Sequence, residues 1–357
     1  MKIAVIVPAV IPSGPIMVAR NLAEGLINLG HTVDLFYIKE TQDNLPLSLQ
    51  TRNIKNISLD ELETYDIIHS HCFSADRYCS RLINKLKRPK FISTIHQNTF
   101  QALSFHLPKP IAYIITKFWS NKLNNFDAIA TISKDVKTNH LRFFRNKERM
   151  HVIHNGLTFE KISTSHPDEN LKQIVNKISE IKKENKGNII LCSYARLAKS
   201  KGYDQLFPLL EKDKRFHLIL IGNGEYKKIL KDKTKKSGIS DNVHFFDAVV
   251  NPFHIISYID VFMMPSYSEG FGLSLIEAAY NRAAIVCSDI PSFRELFDED
   301  EVSFFELNNY NDLKIKLLHT LENKKKLSDK AFHKASIYSD KEMIKNYENL
   351  YLQLLSH

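Results

Sequence analysis

The stretch Ile259-Asp260-Val261-Phe262-Met263-Met264, running into Pro265-Ser266-Tyr267-Ser268-Glu269-Gly270-Phe271-Gly272, decides the fold class of this chain. The apolar run predicts a strand and the glycine-bearing segment a loop. The amphipathic residues beyond predict a helix carrying Glu277, eight residues after Glu269. An open parallel α/β sheet places ligands at the carboxyl ends of its strands, where a glycine loop lets backbone N–H groups and a helix N-terminus come close to an anion. Phosphate suits such a corner, and two carboxylates beside it suit hydroxyls, which donate to them. A nucleotide sugar offers both groups.

Working outward, the same grammar fills the chain. An apolar run at Ile3 to Val7, a turn at Pro12-Ser13-Gly14-Pro15 and helical spacing through Val18, Leu22, Leu26 and Leu29 make a strand–loop–helix unit. Further strands are expected near Thr32 to Tyr37, Ile67 to His71, Phe91 to Ile95, Ala128 to Ile132 and Val152 to Ile153. The second half repeats the pattern at Ile189 to Ser193, His217 to Ile221, Val243 to Phe246, Asp260 to Met264, Ala284 to Cys287 and Val302 to Phe305. Strands alternating with helices predict parallel sheets with helices on both faces. A polar, Lys/Glu-rich segment separates the halves and is expected to include a short helix. The expected division is therefore a first Rossmann-like domain over 1–160, a connection over 161–186, a second Rossmann-like domain over 187–338 and a final helix over 339–357.

Glu269 and Glu277, with Gly270-Phe271-Gly272-Leu273 between them, resemble the signature of retaining GT-B glycosyltransferases, specifically the large family 4 (group 1) that includes bacterial lipopolysaccharide and phosphoinositol mannosyltransferases. Ser193-Tyr194-Ala195-Arg196-Leu197 and Lys199-Ser200-Lys201-Gly202-Tyr203-Asp204 resemble the family's arginine and lysine pair. Ile221-Gly222-Asn223-Gly224, Asn242-Val243-His244-Phe245-Phe246 and Ile153-His154-Asn155-Gly156-Leu157 fall in the family's order.

The resemblance implies an α/β GT-B fold: two facing Rossmann-like domains, an interdomain cleft, and a C-terminal helix crossing back to the first domain. It implies that Arg196 and Lys201 stabilise a departing nucleoside diphosphate without a metal or other cofactor, as fixed cations can. Glu269 would lie near the donor sugar and Glu277 on the ribose hydroxyls. Gly270, Phe271, Gly272 and Leu273 would offer backbone amides, and backbone groups near Phe246 and Asp247 would meet the base. Gly222 joins this donor-binding set. In the first domain, Ser13 and Gly14 stand where the family has paired glycines at the donor phosphate, so one glycine is missing. His96 matches a histidine that contacts the donor sugar, with Gln97 where an aspartate often follows. Of His69 and His71, the second could line the acceptor side.

The activity so implied is retaining transfer of a hexose from a nucleotide sugar, UDP favoured over GDP, to a glycan or lipid-linked saccharide in bacterial surface polysaccharide assembly. Departure of the phosphate would itself assist deprotonation of the acceptor. A sugar-nucleotide epimerase of the same fold and a non-catalytic sugar-nucleotide or glycan-binding subunit remain as alternatives.

Composition bounds the rest. With 357 residues, 43% hydrophobic and 25% charged, the chain reads as globular and large enough for two domains. No uninterrupted apolar run reaches the length of a membrane span, and the apolar start lacks a signal peptide's layout, so a cytoplasmic location is expected. Cys72, Cys79, Cys192 and Cys287 show neither a metal-ligand pair nor a disulfide framework, and Cys72 beside His71 lacks the third partner of a nucleophilic triad. Asp298-Glu299-Asp300 reads as a solvated loop rather than a metal site.

The net charge is +9. Residues 1–157 hold 20 Lys/Arg against 12 Asp/Glu, whereas 158–357 hold 29 against 28. The basic excess, mixed with aromatics between Phe105 and Phe126 and at Leu141-Arg142-Phe143-Phe144-Arg145, suggests peripheral contact with an anionic membrane. No nucleic-acid motif is present to favour that partner.

Overall fold

The structure is a computed structural model that describes residues 1–11, 13–41, 49, 51–164 and 168–356. Pro12 of the expected turn lies outside the described residues. The chain forms two compact units, Met1–Thr158 with Tyr338–His357, and Phe159–Ile337.

The first unit holds a parallel sheet of β1 (Lys2–Val7), β2 (Thr32–Tyr37), β3 (Thr51–Asn53), β4 (Ile67–His71), β5 (Lys90–Ile95), β6 (Ala128–Thr131) and β7 (Met150–Val152). Their order is β3-β2-β1-β4-β5-β6-β7. The second holds β8 (Ile189–Tyr194), β9 (Phe216–Ile221), β10 (Val243–Phe246), β11 (Val261–Met264), β12 (Ile285–Ser288) and β13 (Ser303–Phe305), ordered β10-β9-β8-β11-β12-β13, again all parallel. Central strands such as β4, β9 and β11 are buried along their whole length, as strands covered on both faces must be. Strand order reverses between β1 and β4 in one sheet and between β8 and β11 in the other. Those are the places where open α/β sheets leave a crevice.

Two segments differ from expectation. β3, Thr51-Arg52-Asn53, extends the first sheet by backbone pairing to β2 and has no apolar alternation to betray it. Residues 169–184, expected within the connection as at most a short helix, form a 16-residue helix of the second unit, Glu169–Glu184, that buries Leu171, Ile174, Ile178 and Ile181. Its spacing of three, four and three residues is an amphipathic stripe hidden in a Lys/Glu-rich composition. Asp168 caps this helix at Asn170 and also accepts from the Val250 N–H of the same unit at 2.9 Å.

The final helix, Asp340–Leu355, belongs to the first unit. It is capped by Ser339 and buries Met343, Ile344, Tyr347, Leu350 and Tyr351. It packs against the helix Gly14–Asn28, and its Glu348 meets His31, just before β2, at 2.7 Å. A second internal anchor is Asp76, wholly buried, which accepts from the Ser70 and Ser93 hydroxyls and from the Trp119 indole at 2.9 Å. Three donors on one carboxylate tie β4 and β5 to the helix Lys109–Leu123 and fix which face of that helix turns inward.

Candidate active site

In the second unit, the carboxyl ends of β8, β9, β10 and β11, with the loops and the helix that follow them, carry Arg196, Lys201, Gly222, Phe246, Glu269 to Leu273 and Glu277, and these four strands are neighbours. Backbone bonds lock the loops to one another. The Ala195 N–H donates to Ile221 O at 3.1 Å, Leu197 N–H to Asn223 O at 2.9 Å, and Gly222 N–H to Phe246 O at 3.0 Å. Gly222 has φ +145°, and a Cβ there would lie 2.1 Å from the Ala195 carbonyl oxygen, so only glycine lets these strand ends close together. The Phe246 carbonyl therefore already holds one partner, and Asp247 beyond it is exposed and paired with Lys227.

Lys201 ends a short 3₁₀ turn, Lys199–Lys201, that Gly202 terminates at φ +62°. A Cβ on Gly202 would meet the Pro265 carbonyl oxygen at 2.1 Å. That carbonyl accepts from the Gln205 side chain at 2.6 Å, and Tyr267 N–H donates to Ser200 O at 2.8 Å. The turn after β8 and the loop after β11 are thus bound together across the strand-order reversal. Across this junction Lys201 Nζ reaches Glu269 Oε1 at 2.6 Å, and Ser266 Oγ donates to the same oxygen at 2.7 Å. The lysine and glutamate side chains are only 19% and 11% exposed. A pair so enclosed is costly to break, because a lone charge would be left behind.

Arg196 does not join that cluster. Its side chain is 73% exposed and pairs with Glu225 at 3.0 Å. Gly270 follows Glu269 in the loop, Phe271 is buried, and Gly272 caps the helix Leu273–Tyr280, whose first residue is Leu273. Glu277 lies one turn into that helix. Burial pushes its carboxyl up to about 7, with the Tyr194 phenol beside it pulling the other way. Tyr194, at the end of β8, was not singled out from the sequence; its place as the last residue of a strand that ends in this corner is the signal that could have found it.

In the first unit, Ser13 and Gly14 open the helix Gly14–Asn28 after β1; Ser13 makes no side-chain cap bond, and a Cβ on Gly14 would meet nothing within 4 Å. His96 follows β5 and lies next to His71 at the end of β4, with His71 Nδ1 and His96 Nε2 2.9 Å apart. His69 is fully buried, bonded to the Tyr351 hydroxyl at 2.7 Å and to Thr94 at 2.8 Å, in keeping with a structural role. Burial pushes the Cys72 thiol up to about 12, opposite to what a nucleophile needs. Asp298, Glu299 and Asp300 are exposed and paired with Lys334, Arg294 and Lys330. No group of side chains that could hold a metal ion occurs among the described residues.

Comparison with known proteins accounts for both halves. Residues 12–161 match the family described as Glycosyltransferase Family 4, and residues 175–336 match Glycosyl transferases group 1. The O-antigen biosynthesis glycosyltransferase WclY of Escherichia coli is 30% identical over 99% of both chains. Among solved structures, Anabaena HepE in complex with UDP and glucose superposes with a TM-score of 0.78 at 17% identity over 99% of both chains. The lipopolysaccharide outer core galactosyltransferase WaaB, in its apo form, gives 0.69 at 17% identity over 98% of both. These likenesses establish the GT-B fold expected from the sequence, and the chain belongs to the family 4, group 1 glycosyltransferases.

Proposed function

We propose that this glycosyltransferase moves a hexose from a UDP-sugar, with retention of anomeric configuration, to a glycan or lipid-linked saccharide in the assembly of a bacterial surface polysaccharide such as O-antigen. The observation that carries the reading is the Lys201–Glu269–Ser266 cluster at the strand-order reversal of the second unit. There a cation and a carboxylate are held rigidly within one hydrogen bond of each other, beside the amides of Gly270 to Leu273. In this reading Lys201, assisted by Arg196, receives the charge of the departing pyrophosphate, Glu269 faces the sugar and Glu277 the ribose. Ser13, Gly14 and His96 serve the donor from the first unit, and Gly222 and Phe246 shape the base side. HepE, with UDP and glucose bound, supports the donor class, and WclY supports the pathway.

A thermal-shift comparison of UDP, GDP and ADP checks the nucleotide, because only a ligand of the native state raises the midpoint. UDP alone should do so. A shift with GDP alone would move the proposal to GDP-sugars, and no shift with any of them would remove it. Proton NMR of the first product formed then reports the anomeric configuration.

The anionic-membrane contact gains support from the helix Lys109–Leu123. Between Asp76 and Asp127 the chain has nine Lys/Arg and no Asp/Glu. Trp119 turns inward to Asp76, and Ile111, Ile114 and Phe118 are left exposed at 46, 65 and 56%. Of the other aromatics in the basic segments, Phe126, Phe143 and Phe144 are core residues, so the apolar contact rests on this one helix face. Apolar side chains among lysines suit an interface of anionic headgroups over acyl chains. No helix among the described residues is long and apolar enough to cross a membrane. In flotation, anionic vesicles should carry the protein and neutral ones should not, and Ile114→Asp with Phe118→Asp should abolish recovery. Equal recovery with both vesicle types, or an unaffected double variant, would discard this contact.

A further inference from the structure

Three imidazoles and two phenols form a layer at the carboxyl ends of β4 and β5. His69 bonds Tyr351 and Thr94, and Thr94 in turn bonds Tyr347 at 2.9 Å. The His69 and His71 rings lie 4.3 Å apart, and those of His71 and His96 5.1 Å apart. The layer thus runs from the buried tyrosines of the final helix to the partly exposed His96. Directly after His71 the backbone of Cys72 takes φ +70°, a left-handed conformation that is unfavourable for a residue with a Cβ. β4 therefore turns sharply at the point where His71 is aimed at its neighbour.

His71 is fully buried, yet it makes only one hydrogen bond, through Nδ1 to His96 Nε2, and its own Nε2 is without a partner among the described residues. A buried polar ring with an unmatched nitrogen is disfavoured where an apolar side chain could fill the same space. The bond to His96 accounts for a histidine here. Burial also pushes His69 down to about 3 and holds His71 and His96 below their ordinary value, so the layer is uncharged at neutral pH. His96 Nε2 is occupied by His71, which leaves Nδ1 as the nitrogen with no partner among the described residues.

We propose that His71 is a positioning residue: through its hydrogen bond it holds the His96 ring with Nδ1 available to a hydroxyl of the sugar. This rests on His96 being a donor-site residue, as set out above. Asparagine at position 71 can present either its amide oxygen or its amide nitrogen near the place of Nδ1, so it serves whichever of the two rings carries the shared proton. Leucine fills the space and offers nothing.

The experiment compares His71→Asn, His71→Leu, His96→Ala and the His71→Leu/His96→Ala double variant by steady-state transfer, melting temperature and nitrogen-15 imidazole NMR. His71→Leu should lower kcat by roughly 10- to 100-fold, as a displaced contact does. His71→Asn should stay within about threefold of the parent, since the bond is kept. The double variant should be no slower than His96→Ala, because the first residue acts only through the second. The His96 Nε2 resonance should shift in His71→Leu and return in His71→Asn. Multiplying effects in the double variant, failure of asparagine to rescue, or an unmoved His96 resonance would each overturn the proposal. Full activity in His96→Ala would instead remove the reading of His96 as a site residue, while the resonance would still report whether His71 holds the ring.

Discussion

Replacing Lys201 with alanine should lower kcat for sugar transfer by about two to three orders of magnitude, the scale on which fixed groups that stabilise developing charge act. The expectation rests on enclosure. Lys201 Nζ lies 2.6 Å from Glu269 Oε1 with its side chain 19% exposed, so little water screens it. Arg196, 73% exposed on Glu225, starts from the opposite condition, and Arg196→Ala should cost about tenfold. Removing Lys201 also strands Glu269, so some stability is lost with the activity. A second variant separates the two effects: Lys201→Ala with Glu269→Gln should recover the melting temperature and not the turnover. If Lys201→Ala keeps its kcat within about threefold, the phosphate role belongs elsewhere.

Glu277→Gln should move stability and nucleotide affinity in opposite directions. Burial raises the carboxyl from 4.5 to about 7, so between those values the folded chain binds more protons than the unfolded one. The contribution of this one group to stability is therefore fully present below pH 4.5 and is lost as pH rises to about 7, beyond which the anion remains as a fixed cost. Glutamine has nothing to ionise. Measured without ligand at pH 8, the variant should melt about 2–8 °C above the parent, each pKa unit being worth about 1.4 kcal/mol. UDP binding should weaken by roughly 10- to 100-fold, because hydroxyls bonded to a carboxylate contribute about 1.5–3 kcal/mol. Calorimetry and melting at pH 5 and pH 8 check both signs. Unchanged UDP affinity would remove Glu277 from the donor site, and a lower melting temperature at pH 8 would mean that the anion is stabilised by the fold.

The two sheets were legible because parallel strands buried on both faces read as nearly continuous apolar runs, and β1, β9 and β11, buried almost throughout, fall within one residue of the strands expected. What composition concealed was periodicity: Leu171, Ile174, Ile178 and Ile181 are four residues in a polar stretch, and only their spacing marks a core-facing helix. β3 had no side-chain signal, since its membership depends on backbone pairing alone. At the site, residue types and order identified Lys201 and Glu269. They did not reveal Ser266 on the same carboxylate oxygen, nor that Arg196 turns to Glu225, because both depend on how loops from separate strands meet. His71 shows the same limit. A histidine at a strand end is visible in a sequence; the partner 2.9 Å away on the next strand is not.

The placement of Tyr347 and Tyr351 in the interior of the first unit bears on how the protein is made. Their hydroxyls close the hydrogen bonds of Thr94 and His69, residues that leave the ribosome more than 250 positions earlier. The second unit, Phe159–Ile337, is contiguous and can fold as soon as it emerges. The unit begun first is thus finished last, and until the helix Asp340–Leu355 is translated, its nascent form exposes an apolar groove that chaperones would have reason to cover.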